Sequence, residues 1–416
     1  MIKDILILQK RELERKLKEM YIERNVDSKK IDNPLIKVII GPRRSGKSFF
    51  LIHFLKNKNV GYVNFDDGRI IEIEDYDKIV SSVKTVYGDP KYLILDEIQN
   101  LPKWELFANR LQRQDYNLFI TGSNSKLLSK ELATHLTGRH FLINMYPFSF
   151  KEFLDIEKKE LTLNEIKEGL DKYLVNGGFP EPIIKGIDNK EYLSTLFSSV
   201  IYKDIVKRYN IRHSQKIEDL AMYLLSNIAS EYSYNSLKNM VKIQSVHTIE
   251  KYLGYLEESF IFFSLRRFSY KIKEQLSSNK KIYCIDNGFV SSKAFTASPN
   301  YGRLYENLVA IKLKKQELEN KINFYYWKNP QQEEVDFVIK KGTKVVELIQ
   351  VCYDLKNLKT REREERVLLK AGKDLKCKNL VIITKDLGDE TEKEWFGIKG
   401  KIKYIPLWKW LLEKDN

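Results

Sequence analysis

The chain is poor in cysteine. It has three in 416 residues, Cys284, Cys352 and Cys377, and no C-x-x-C pairing. An odd, scattered set excludes a disulfide scaffold and a cysteine-rich zinc site, and it fits a reducing compartment. Histidine is equally scarce: His53, His135, His140, His213 and His247 show no metal-ligand spacing, and neither a zinc signature nor a G-x-S-x-G elbow is present. No run approaches the ~18 apolar residues that a spanning helix requires. The opening MIKDILILQK has too short an apolar segment, followed by dense charge, for a secretory signal. These absences predict a cytoplasmic protein with no membrane partner. Repeats and low-complexity segments are missing as well.

What is present points elsewhere. A hydrophobic content of 43% supports well-packed globular structure, and the length implies about two to four domains. Basic residues outnumber acidic ones, 72 to 57, for a net charge of +15, an excess that suits a polyanionic partner such as nucleic acid.

The segment GPRRSGKS at 41–48 follows the apolar run Leu35–Ile40 and fits the phosphate-binding pattern G-x-x-x-x-G-K-[ST]. Gly41 and Gly46 permit the tight turn that aims successive N–H groups at one anion. The expected cradle is Gly41, Pro42, Arg43, Arg44, Ser45, Gly46, Lys47, Ser48 and Phe49. Lys47 is placed to reach the β- and γ-phosphates, the Ser48 hydroxyl to ligate Mg²⁺, and the following helix adds the positive end of its dipole. Some fifty residues on, KYLILDEIQ reads as a strand buried on both faces and ending in two carboxylates. Asp96 would hold the Mg²⁺ shell and Glu97 would polarise the attacking water. ATP and Mg²⁺ are the expected ligands.

Strand-like runs recur at Leu35–Ile40, Val60–Phe65, Tyr92–Leu95, Leu118–Thr121 and His140–Met145, with helical patterns between most of them. The alternation predicts an α/β fold with a parallel-sheet ATPase core at 33–148, preceded by a solvent-exposed helix at 1–32. Residues 149–212 turn helical, a lid interrupted by NGGFPEP, whose Gly and Pro residues force a turn. In 213–296, three amphipathic helices and the strand-like IFFSLRRFSYKIK predict a winged helix. His247, Thr248 and Lys251 on its third helix and Arg266, Arg267 and Lys271 on its wing are candidate DNA contacts. The region 297–416 carries a helix, three strand-like runs, a charged helix and a further strand.

The phrases GPRRSGKS, LILDEIQ, FITGSNS, LTGRH, YPFSFKEF, GGFPEP and EVDFVI…ELIQVCYD run nearly the whole length of the chain. In them it resembles the AAA-type P-loop ATPases of archaea and bacteria that carry a C-terminal restriction-endonuclease-like domain. The resemblance implies a γ-phosphate sensor at Ser123 or Asn124. It also implies an arginine, Arg139, that reaches a neighbouring subunit's γ-phosphate, and hence a homo-oligomer. For the C-terminal domain it implies a metal site of Glu306, Asp336 and Gln350, Gln350 replacing the usual glutamate. Where such nucleases have lysine this chain has Cys352, and strand alternation places Glu347 on the opposite face. A protonated thiol is a poor substitute for a cation or general base. The expectation is therefore a nuclease-derived fold kept for DNA binding or packing, not for cleavage. Two other readings stay open: a signalling or scaffold switch with a protein partner, and an ATP-gated nuclease.

Overall fold

The computed structural model describes residues 2–123, 140–294 and 300–413. The chain divides into two compact units. One comprises Met1–Phe148, Phe179–Lys185 and Glu258–Phe260; the other comprises Ser149–Gly178, Gly186–Glu257 and Ile261–Asn416.

In the first unit, five short apolar segments become strands: β1 (Ile36–Ile40), β2 (Val60–Asn64), β3 (Tyr92–Asp96), β4 (Asn117–Gly122) and β5 (His140–Asn144). They pair in parallel in the order β2-β3-β4-β1-β5. Each central strand is apolar on both faces because both are covered. Ile36, Val38, Ile40, Leu93, Leu95, Leu118 and Ile120 pack with Ile79, Trp104 and Phe107 of the helices Tyr76–Tyr87 and Trp104–Arg113. Ile39, Ile94 and Phe119 point the other way, onto Phe50 and Leu51 of the helix Lys47–Phe54. Burial of each large side chain contributes about 1.5–3 kcal/mol. The N-terminal helix spans only Ile2–Lys16 and is not simply solvent-exposed, since Ile5 and Leu6 are buried in the first of these clusters.

The second unit opens with helices at Phe150–Leu154 and Leu163–Asn176, each started by a capping box, Ser149 with Glu152 and Thr162 with Glu165. The helix Asn189–Ser199 continues into a looser π-helical turn, Val200–Lys207. Next come helices Ser214–Ser226, Tyr234–Met240 (capped by Ser233) and Val246–Glu258. With them goes a small antiparallel sheet of β6 (Ser230–Tyr232), β7 (Phe262–Arg266) and β8 (Lys280–Cys284), ordered β6-β8-β7. The extended run expected through Lys273 stops at Arg266: Ile272–Ser277 is a helix.

The helix Tyr301–Leu318 leads to a second sheet, ordered β13-β14-β12-β11-β10-β9. Its strands are β9 (Asn323–Lys328), β10 (Glu334–Lys341), β11 (Lys344–Val351), β12 (Leu380–Thr384), β13 (Asp389–Trp395) and β14 (Ile398–Pro406), with helices Leu358–Asp374 and Leu407–Leu412. The NGGFPEP segment does turn at its glycines, but Pro180 then starts a helix, Pro180–Lys185, where its fixed φ suits the first turn.

Lys37, in the middle of the first sheet, is fully buried; its Nζ donates to the Asn33 carbonyl at 2.8 Å and lies 4.5 Å from the Phe119 ring centre. Burial pushes its pKa down to about 8 from the ordinary 10.5, against a smaller pull from Asp32. Between those values the unfolded chain binds more protons, so this residue makes stability rise with pH. Urea midpoints taken at about pH 7.5 and about pH 9.5 should show that rise in the wild type and a smaller one in Lys37→Met; identical pH profiles would mean that Lys37 is charged when folded.

Candidate nucleotide-binding site

The loop between β1 and the helix Lys47–Phe54 lies at the carboxyl edge of the sheet, where parallel α/β folds place their ligands. Backbone geometry explains its glycines. Gly46 caps the helix at φ 92°, a left-handed conformation. At Gly41 an added Cβ would overlap the Met145 carbonyl oxygen. Ser45 is fully buried and its hydroxyl has no protein partner. The Lys47 ammonium, 4% exposed, donates to the carbonyls of Gly41 (3.1 Å) and Pro42 (3.0 Å), which folds it over the concave side of the loop. The loop is held from outside. Arg24 donates to the Ser45 carbonyl at 2.9 Å and to that of Tyr146, Arg43 pairs with Asp66 at 3.8 Å, and Arg44 pairs with Glu181 at 3.4 Å. Phe49 packs on His53, 4.5 Å between ring centres.

Asp96 closes the arrangement. It ends β3, is 4% exposed, and collects three hydroxyls: Ser48 donates to Oδ1 at 2.7 Å, Tyr62 to Oδ2 at 2.7 Å, and Thr121 to Oδ1. Burial, with the Asp96 charge beside it, raises the Tyr62 phenol well above its ordinary pKa, so it stays a donor. Glu97 turns left-handed at φ 51°; its N–H donates to Thr121 Oγ1 at 3.0 Å, and Gln99 donates to its carboxylate. Two adjacent carboxylates thus leave one strand end in different directions. Ser123 is buried just past β4. Asn124 and Arg139 lie outside the described residues.

The chemistry fits a triphosphate with Mg²⁺. A cradle that excludes a Cβ, an orphaned buried hydroxyl at Ser45 and a lysine folded over the loop are what an oxyanion needs. The Ser48–Asp96 pair supplies the hard oxygens a Mg²⁺ shell requires. Tyr62, Thr121 and Arg24 escaped the sequence reading, because their roles depend on which strands and segments are neighbours.

The other predicted groups fall in the second unit. Glu306 and Asp336 do come together, on the Lys281 ammonium, while the Gln350 amide donates to Glu364 at 2.7 Å. Cys352 is buried, and that burial pushes its thiol up to about 11. Of the candidate wing residues, Arg267 is committed to the Lys328 carbonyl and Lys271 pairs with Glu274 at 3.1 Å. His247 and Lys251 are exposed on the helix Val246–Glu258, with His247 3.8 Å from Glu250. No described helix is long and apolar enough to cross a membrane.

Two variants separate the cradle from the Asp96 centre. Gly41→Ala should weaken ATP binding at least about tenfold, since its Cβ displaces the loop. Tyr62→Phe should cost about 1–3 kcal/mol of stability and raise the Mg²⁺ concentration needed for ATP binding, leaving Mg²⁺-free binding unchanged. Thermal melts and titrations with a fluorescent ATP analogue read both; Gly41→Ala with undiminished affinity would refute the cradle.

Residues 33–154 match an AAA domain, while 167–298 and 301–410 match two domains of unknown function. A Walker-type ATPase of Pyrococcus abyssi is similar at 14% identity and a TM-score of 0.41, over 68% of this chain and 94% of that one. An uncharacterized protein of Haemophilus influenzae is 29% identical over 81% of this chain and 87% of its own length. The uncharacterized protein MJ1544 of Methanocaldococcus jannaschii is 37% identical over 98% of this chain and 94% of its own. The chain therefore belongs to the same family as MJ1544, with an AAA-type P-loop ATPase domain in its N-terminal part.

Proposed function

We propose that the protein is a Mg²⁺-dependent ATPase that couples ATP binding and hydrolysis to a conformational change acting on DNA. The observation that carries the ATPase half is the hydrogen bond from Ser48 to Asp96 beside a separately oriented Glu97. Lys47 and the loop N–H groups bind the phosphates; Ser48 and Asp96 would hold Mg²⁺, which shields the charge developing between the β- and γ-phosphates. Glu97 accepts a proton from the attacking water, and Gln99 orients its carboxylate. In this reading Asn124 senses the γ-phosphate and Arg139 completes the site of a neighbouring copy, so the active form is a homo-oligomer.

The DNA half rests on the net charge of +15 and on the exposed His247 and Lys251, with the half-buried Thr248 between them, on one helix. Three helices and a three-stranded antiparallel sheet, with β6 between the first two helices and β7 and β8 after the third, support a winged-helix reading of this module. A second reading, a switch ATPase with a protein partner, draws on the wing, where Arg267 is held by the Lys328 carbonyl of β9 and Lys271 by Glu274.

Steady-state hydrolysis should require Mg²⁺, rise on titration with duplex or single-stranded DNA, and fall about 100-fold or more in Glu97→Gln. DNA affinity should decline with log salt by about 0.9 per phosphate neutralised. Turnover indifferent to DNA, with salt-insensitive binding, would favour the protein-partnered switch; hydrolysis unaffected by Glu97→Gln would remove Glu97 from the mechanism.

A further inference from the structure

In the second unit, the Lys281 side chain on β8 is 3% exposed and points into three carboxylates. Its Nζ lies 2.9 Å from Glu306 Oε1, 2.5 Å from Glu334 Oε1 and 3.3 Å from Asp336 Oδ1. An ammonium has three protons, and each meets one carboxylate oxygen. The Tyr283 hydroxyl also donates to Glu306 Oε1, at 2.7 Å, and Lys328 stands 4.0 Å from the other Glu334 oxygen. Asp336 Oδ2 accepts the Val351 N–H at 2.9 Å. Gln350 has both ends of its amide engaged: its oxygen accepts from the Asp336 N–H at 3.2 Å, and its nitrogen donates to Glu364.

Three carboxylates brought this close together repel one another unless a cation lies between them. Here the cation is part of the chain. Three carboxylate oxygens within 3.3 Å of the nitrogen stabilise its charge against the cost of burial. One ammonium against three carboxylates leaves excess negative charge. The oxygens stand 2.5–3.3 Å from the nitrogen, whereas a divalent ion draws them in to about 2.0–2.6 Å. Among the described residues, no group of three or more His, Cys, Asp or Glu is arranged to hold a metal. The site of Glu306, Asp336 and Gln350 implied by the family resemblance therefore does not fit a metal in this chain.

We propose that the Lys281 ammonium fills the place of a divalent cation: the Glu306–Glu334–Asp336 cluster takes no metal while the lysine is present, and removing the ammonium converts it into a Mg²⁺ or Mn²⁺ site. The consequence is a C-terminal module that keeps its carboxylates as structural counter-ions and performs no metal-dependent cleavage.

The test is Mn²⁺ binding to the full chain without nucleotide, read from the free-ion electron paramagnetic resonance signal. Wild type and Asp336→Asn should bind Mn²⁺ alike. Lys281→Met, which keeps the stem and removes the charge, should gain a site at least tenfold tighter, and Lys281→Met/Asp336→Asn should lose it. A wild-type site that disappears in Asp336→Asn overturns the proposal, as does a folded Lys281→Met that gains nothing. If Lys281→Met does not fold, the comparison of wild type with Asp336→Asn decides alone: equal binding upholds the proposal and a lost site overturns it.

Discussion

The Asp96 carboxylate is the constraint on which the nucleotide site depends. One buried group takes hydroxyls from Ser48 on the loop helix, Tyr62 on β2 and Thr121 on β4, and so ties the phosphate loop to three adjacent positions of the sheet. A buried anion left without donors would cost several kcal/mol. The hydroxyls meet that requirement while leaving the carboxylate near the place where a metal-bound phosphate would enter. Glu97 is released from the same duty by a left-handed backbone turn, so that in the proposed mechanism the neighbouring carboxylates would divide the roles of metal holder and proton acceptor.

Support of the loop comes from cations outside it. Arg24 reaches two backbone carbonyls from a segment well ahead of β1, and Arg44 meets Glu181 in a helix that joins the first unit from far along the chain. The GGFPEP phrase owes its place beside the loop to this helix, which Pro180 can start but could not continue from within. The phosphate-binding segment is thus a short local motif stabilised by distant residues.

Much of the first sheet was legible, because each central strand is a run of apolar residues buried on both faces. GPRRSGKS and LILDEIQ were legible for a different reason: each is a short local pattern, a glycine-flanked loop before a helix and an apolar strand ending in carboxylates, that does not depend on strand order. Tyr62 and Thr121 could not be read this way. They reach Asp96 only because β2 and β4 flank β3, and strand order is a property of the folded sheet. The hairpin of β13 and β14 was missed because its residues read as solvated charge. Across the pair, Glu390 and Glu394 meet Lys401 and Lys399 at 3.0 and 3.3 Å on the outer face, while Ile402 and Tyr404 of β14 alternate with these lysines into the core. Lys281 was invisible for a similar reason: it lies 25 residues before Glu306 and 55 before Asp336, on a strand that no pattern joined to the helix of the one or the strand of the other.

The central claim is that Ser48 and Asp96 act as one unit in holding the metal of a bound triphosphate. A double-mutant cycle with Ser48→Ala and Asp96→Asn, scored by the Mg²⁺-dependent part of ATP-analogue affinity, tests it most directly. The account predicts strong coupling, about 1 kcal/mol or more, with the double variant little worse than Asp96→Asn alone. Additive losses, or Mg²⁺ dependence that survives both substitutions, would contradict it.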